Sequence, residues 1–143
     1  MPVKVKAVAS RAKSKSNSSI LVVDDELAIV QVLQALLTRE GYAVVTASDG
    51  DEALAKLESQ KFDLVVSDVS MPEMDGLTLL KEVKKIQQDL EVILVTAYAS
   101  VETAVEAKQR GAFDYVCKPF KVDQLLQTVD QALSSVARLR AKK

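Results

Sequence analysis

The sequence has no histidine and no tryptophan, and it holds one cysteine, three prolines and four glycines in 143 residues. Without histidine the chain offers no imidazole to a metal. The lone Cys117 excludes an internal disulfide, and inside the apolar run Phe113 to Cys117 it reads as a small buried hydrophobe rather than a reactive thiol. No apolar run approaches the roughly 20 residues of a membrane helix. The first nineteen residues lack the continuous apolar stretch of a secretory signal, so a cytoplasmic location without membrane contact is expected. Neither G-x-G-x-x-G nor a P-loop occurs, which argues against nucleotide binding. The length is that of one domain, enough to bury a core without disulfide or metal staples.

Charge is unevenly spread. The net value is −1, but residues 1–19 carry Lys4, Lys6, Arg11, Lys13 and Lys15 and no acid, which leaves 14 basic and 20 acidic residues, or −6, for the remainder. This first stretch lacks hydrophobic periodicity and reads as a flexible basic arm. Residues 138–143 hold Arg138, Arg140, Lys142 and Lys143 and form a second basic tail, a possible continuation of the last helix. Neither end contains an aromatic residue to stack on a base, so the tails are read as solvated ends and direct nucleic-acid binding is not expected.

Between them, residues 20–137 alternate two patterns. Short β-branched runs (Ile20 to Val23, Tyr42 to Thr46, Phe62 to Ser67, Val92 to Val95, Phe113 to Cys117) alternate with helical periodicity at Glu26 to Glu40, Glu52 to Ser59, Leu77 to Ile86, Val101 to Arg110, and from Val122 onward. The last helix carries Leu125, Leu126, Val129, Leu133 and Val136 on one stripe, extending toward Leu139. Five such βα units predict an α/β fold, a doubly wound five-stranded parallel sheet with helices on both faces and right-handed crossovers. In such sheets, ligands bind at the carboxyl ends of the strands.

At those ends stand Asp24 and Asp25, then Asp68, Thr96 and Lys118. Three carboxylates at one rim repel one another, so they imply raised pKa values or a neutralising cation. Oxygen ligands without imidazole or thiolate favour Mg²⁺, or Mn²⁺ in its place, over zinc, and Mg²⁺ is commonly shared with phosphate. A carboxylate can itself take a phosphoryl group while an ammonium such as Lys118 offsets the charge on its oxygens and the Thr96 hydroxyl donates to one. Taken singly, each residue has a plainer reading. Asp24 or Asp25 could cap the helix starting at Glu26 and Asp75 the helix after it, Thr96 could bond locally, and Lys118 could be a solvated charge.

Four segments resemble receiver domains of bacterial response regulators: Leu21 to Glu26 (LVVDDE), Ser67 to Gly76 (SDVSMPEMDG), Val95 to Tyr98 (VTAY) and Tyr115 to Phe120 (YVCKPF). The stretch Thr96 to Phe120 resembles the nitrogen-regulator (NtrC-like) subfamily in particular. The resemblance implies the flavodoxin-like strand order 2-1-3-4-5. It implies Asp68 as phosphoacceptor, a Mg²⁺ held by Asp24, Asp25, Asp68 and the backbone carbonyl of Ser70, and contact of Lys118 with the phosphoryl group. Thr96 and Tyr115 are then the switch residues, Ser70 and Tyr98 occupy positions that tune phosphoryl lifetime, and the bond before Pro119 is cis. The implied donor is a sensor histidine kinase or phosphotransfer protein, which supplies in trans the histidine this chain lacks. The implied output runs from helix four, strand five and helix five to a protein partner or a missing output domain.

Three rivals remain. A dehalogenase-like phosphatase would need a second acid two residues after its nucleophile, where this sequence has Ser70. A receiver-like interaction module independent of phosphorylation would have no use for Asp25, Asp68, Thr96 and Lys118 together. An excised receiver of a longer NtrC-like transcription regulator would let helix five run on as a linker, where its stripe could pair two subunits as a homodimer. The expected protein is a signalling switch, not an enzyme beyond taking up a phosphoryl group and slowly releasing it.

Overall fold

The computed structural model describes residues 18–71, 74–97 and 100–141, with 136–141 as backbone only. Residues 1–17 of the basic arm expected over 1–19, Tyr98, the side chains of Val136 and Leu139, and the end of the basic tail lie outside the described residues, whereas Ser19 already belongs to the first strand.

Among the described residues five strands, β1 (Ser19–Val23), β2 (Ala43–Ala47), β3 (Leu64–Asp68), β4 (Glu91–Thr96) and β5 (Asp114–Cys117), alternate with five helices. The helices are α1 (Leu27–Arg39), α2 (Gly50–Ser59), α3 (Gly76–Ile86), α4 (Val101–Gln109) and α5 (Val122–Ala141). All strand pairs are parallel in the order β2-β1-β3-β4-β5, the doubly wound arrangement that the βα rhythm and the family resemblance led us to expect.

Strand parity divides the interior in two. Leu21, Val23, Val65, Val92 and Leu94 point to one face and pack with Ala53 and Leu57 of α2, Leu79, Leu80 and Val83 of α3, and Ala107 of α4. Ile20, Val22, Leu64, Val66, Ile93, Val95 and Val116 point to the other and meet Leu33 and Leu37 of α1 and Leu125, Val129 and Ala132 of α5. The strands look continuously apolar in sequence because both faces are covered. Three helices start on side-chain caps: Asp49 accepts from Glu52 N at 2.7 Å, Asp75 from Thr78 N at 2.8 Å and Ser100 from Thr103 N at 3.1 Å. Gly41 and Gly111, both at φ 101°, make the left-handed turns that end α1 and α4.

Two strand ends run further than periodicity indicated. Asp68 pairs opposite Val95 and closes β3, and Thr96 pairs opposite Cys117 and closes β4, so the candidate side chains are fixed by ladder geometry rather than carried on loops. Cys117 corrects a sequence expectation: it is exposed, not buried. In the edge strand β5, Val116 faces the α1/α5 core while Tyr115 and Cys117 alternate toward α4, and Ala107 is the buried side chain of that helix. The strand end is therefore left open. Among the described residues no helix is long and apolar enough to cross a membrane.

Leu94 is fully buried and Leu27 is 69% exposed. Leu94→Ala is expected to lower the unfolding free energy by about 2–5 kcal/mol in urea titration, and Leu27→Ala to change it by less than about 0.5 kcal/mol.

Candidate functional site: an acidic rim at the strand ends

The carboxyl ends of β1, β3 and β5 bring four of the expected residues together. Oxygens of Asp24, Asp25 and Asp68 all lie within 4.8 Å of one another. Asp24 and Asp68 are buried and Asp25 is exposed. Lys118 Nζ donates to Asp24 Oδ2 at 2.9 Å, with Asp68 Oδ1 at 3.7 Å and Glu26 Oε1 at 3.6 Å. The ammonium is thus hydrogen-bonded to Asp24 and close enough to Asp68 for charge attraction without a bond. Lys118 is followed by a cis peptide to Pro119, and its own N–H donates to the carbonyl of Thr96 at 2.8 Å.

The plainer reading of these acids as helix caps divides. Asp75 caps α3. Neither Asp24 nor Asp25 caps α1: its N-cap is Glu26, which has no side-chain cap bond, and Asp24 Oδ1 instead accepts from Glu26 N at 2.9 Å. That turn folds the start of the helix around the Asp24 carboxylate and leaves Asp25 facing outward.

Backbone packing positions Asp68. Gly76 at the start of α3 lies so close that a Cβ there would come 2.4 Å from the Asp68 carbonyl oxygen and 2.8 Å from Val69 Cα, and Gly76 N donates to Val69 O at 2.8 Å. Only glycine lets α3 press against the loop that follows Asp68. The buried Ser67 hydroxyl donates to the same Asp68 carbonyl at 2.9 Å. Sequence reasoning missed Ser67, Gly76 and Glu26; the available signals were a hydroxyl ending an apolar strand, a glycine opening a helix and a third consecutive acid.

The charges do not balance. Burial, and then the charge of Asp24, push the Asp68 carboxyl above its ordinary pKa; Lys118 and the backbone N–H groups of Ser70 and Val69 pull it back without cancelling the rise. Burial opposes the charge on Lys118, yet the hydrogen bond and charge of Asp24, with the charges of Asp68 and Glu26 behind it, hold its pKa above the usual lysine value. A cleft of about 410 Å³ opens above this cluster, lined by Asp25, Glu26, Asp68, Ser70, Ala97 and Lys118. A larger cavity, about 900 Å³, lies at the opposite end of the sheet near Ser19, Asp63 and Ile86 and holds none of the expected residues.

The donor set fits a small hard cation. Octahedral coordination at 2.0–2.1 Å needs ligands no more than about 4.2 Å apart, so three carboxylate oxygens within 4.8 Å of one another need only small side-chain shifts to share one ion. Thr96 is buried at the end of β4, and Tyr115 stands away from the rim, its hydroxyl 2.7 Å from Thr103 Oγ1 on α4.

Known proteins share this fold. The response regulator receiver domain family matches residues 20–130. The transcriptional regulatory protein ZraR of Escherichia coli K12 is 47% identical over 126 residues, which is 88% of this chain but 29% of ZraR. The DNA-binding transcriptional regulator NtrC of Salmonella typhimurium is 44% identical over 80% of this chain and 24% of its own length. Among solved structures, a receiver domain protein from Clostridium thermocellum superposes with TM-score 0.81 at 34% identity, covering 85% of this chain and 98% of its own. NtrX from Brucella abortus gives TM-score 0.83 at 39% identity, over 87% of this chain and 29% of NtrX. This chain spans less than a third of the length of ZraR, NtrC and NtrX.

Because the Asp68 pKa is raised in the fold, its stabilising contribution is present below the ordinary carboxylate pKa, about 4, and is lost as pH rises through the raised value. Asp68→Asn is therefore expected to raise the metal-free Tm at pH 7 by roughly 2–5 °C, with the gain vanishing near pH 3. Mg²⁺ should narrow the gap by stabilising the wild type. Scanning calorimetry across pH, with and without Mg²⁺, reads both effects.

Proposed function

Because the chain belongs to the response regulator receiver domain family, in its NtrC-like branch, we propose that Asp68 accepts a phosphoryl group from a phosphohistidine and that the modified domain then signals through the face formed by α4, β5 and α5. Receiver domains are signalling modules that take their signal from histidine kinases and act on output domains. The observation that carries this reading is the shared ammonium: Lys118 lies 2.9 Å from Asp24 and 3.7 Å from Asp68, poised between a resting partner and an acceptor.

An Asp68 carboxylate oxygen attacks phosphorus, the bond to the donor imidazole breaks, and the leaving imidazole takes a proton from solvent. The product is an acyl phosphate. A Mg²⁺, or Mn²⁺, held by Asp24, Asp25, Asp68 and the Ser70 carbonyl would supply charge neutralisation for the phosphoryl oxygens. Lys118 shifts from Asp24 to a phosphoryl oxygen, and the Thr96 hydroxyl donates to another. Water later attacks phosphorus, the bond to the Asp68 oxygen breaks, and inorganic phosphate leaves as the carboxylate is restored; access is set by the side chains at Ser70 and Tyr98, so the protein resets itself slowly instead of turning over a substrate. Tyr115 carries the change from the rim to the output face. The protein acts in the cytoplasm; the donor is a sensor histidine kinase or phosphotransfer protein, and the receiver of the signal is a protein partner, a further domain or a second copy of the chain.

Incubation with acetyl phosphate and Mg²⁺ followed by intact-mass measurement tests this assignment. A single phosphoryl adduct is expected on the wild type, none on Asp68→Ala, and adduct formation slowed on the order of 100-fold in Lys118→Ala. An adduct that survives Asp68→Ala, or no adduct on the wild type, would sink the reading.

A further inference from the structure

Helix α4 is thinly anchored. Of its described side chains Ala107 alone is buried, while Val101 is 81% and Val105 49% exposed. A helix this short is marginal by propensity alone, so its place depends on polar ties at its ends. At its C-terminal end Lys108 Nζ donates to the Phe113 carbonyl and lies over the Phe113 ring. At its N-terminal end is a capping box: Thr103 N donates to Ser100 Oγ, and Ser100 N donates to Thr103 Oγ1, both at 3.1 Å.

The Thr103 hydroxyl does more than close that box. Its Oγ1 lies 2.7 Å from the Tyr115 hydroxyl, closer than to Ser100 Oγ at 3.0 Å or the Ser100 carbonyl at 3.1 Å. One proton and two lone pairs are all a hydroxyl has, so the capacity of Thr103 is filled. The Tyr115 ring is half-buried against the core beneath α4. Its strand leads straight to the rim: Tyr115 pairs with Leu94, Cys117 with Thr96, and Lys118 N donates to Thr96 O.

We propose that the Thr103 hydroxyl is a latch that holds Tyr115 against the first turn of α4 in the resting protein. Phosphoryl contacts that draw Lys118 and Thr96 together displace the end of β5 and break the Thr103–Tyr115 bond. Because the same oxygen closes the capping box, ring and helix start are released together. The inference rests on the phosphoryl-accepting reading for its trigger; the latch itself belongs to the unmodified chain.

Amide hydrogen exchange on the metal-free, unphosphorylated protein tests the latch. Thr103→Val keeps the β-branched shape and removes the hydroxyl, whereas Tyr115→Phe removes only the ring hydroxyl and leaves the capping box whole. Tyr115→Phe is expected to speed exchange over residues 104–107 by about threefold, Thr103→Val by more, the double variant by no more than Thr103→Val, and Thr103→Ser to restore the wild-type rate. Unchanged exchange in Tyr115→Phe overturns the latch. A second arm titrates the phosphoryl mimic beryllofluoride with Mg²⁺: both single variants should respond at about threefold lower concentration. An unchanged midpoint overturns the link between latch and switch. A wild type with no response to beryllofluoride overturns the phosphoryl reading instead, and the exchange rates still decide the latch.

Discussion

One ammonium facing several carboxylates governs the working end of this molecule. Lys118 bonds Asp24 and attracts Asp68, but Asp25 and Glu26 add further negative charge at the same rim. The excess is a cost in the resting protein, added to the burial that first, and the Asp24 charge that next, raise the pKa of Asp68. It is tolerated because Asp25 and Glu26 are exposed, where water screens them, and because the cluster opens into a cleft. A site that is electrostatically incomplete is suited to a divalent cation and a transferred phosphoryl group together, since each supplies what the other lacks.

The rest of the fold keeps these groups in place. The parallel register aligns the ends of β1, β3 and β4, so that Val23 lies opposite Ser67 and Asp68 opposite Val95. Two apolar layers, each packed against different helices, hold that register rigid. Gly76 and Ser67 then fix the Asp68 backbone from outside the ladder. Rigidity is uneven, however. The helices α1, α2 and α3 each bury two or more side chains, whereas α4 buries Ala107 alone and depends on the bonds at its ends. An element held by few polar contacts is the one that a small displacement at the rim can move.

Much of this was legible in the residues. The alternation of short apolar runs with helical stripes led to the parallel sheet, and the rule that ligands gather at strand ends led to Asp24, Asp25, Asp68, Thr96 and Lys118 before any geometry was known. What stayed hidden depends on distance and solvent access, which a linear pattern does not encode. Apolar neighbours made Cys117 look buried, but edge-strand parity and the sparse cover of α4 expose it. Asp24 and Asp25 could not be told from helix caps until the Asp24 side chain was seen to fold back on Glu26 N. Thr103 was not singled out in the sequence, because its tie to Tyr115 joins residues on separate elements.

The central claim is that Asp68, and no other carboxylate of the rim, becomes an acyl phosphate. Reductive trapping tests it most directly: the phosphorylated protein is treated with borohydride, which converts an aspartyl phosphate to homoserine, and the product is located by tandem mass spectrometry. The account predicts homoserine at position 68 alone, with Asp24 and Asp25 unaltered. Homoserine at either of those positions, or a phosphoryl group that borohydride leaves in place, would contradict it.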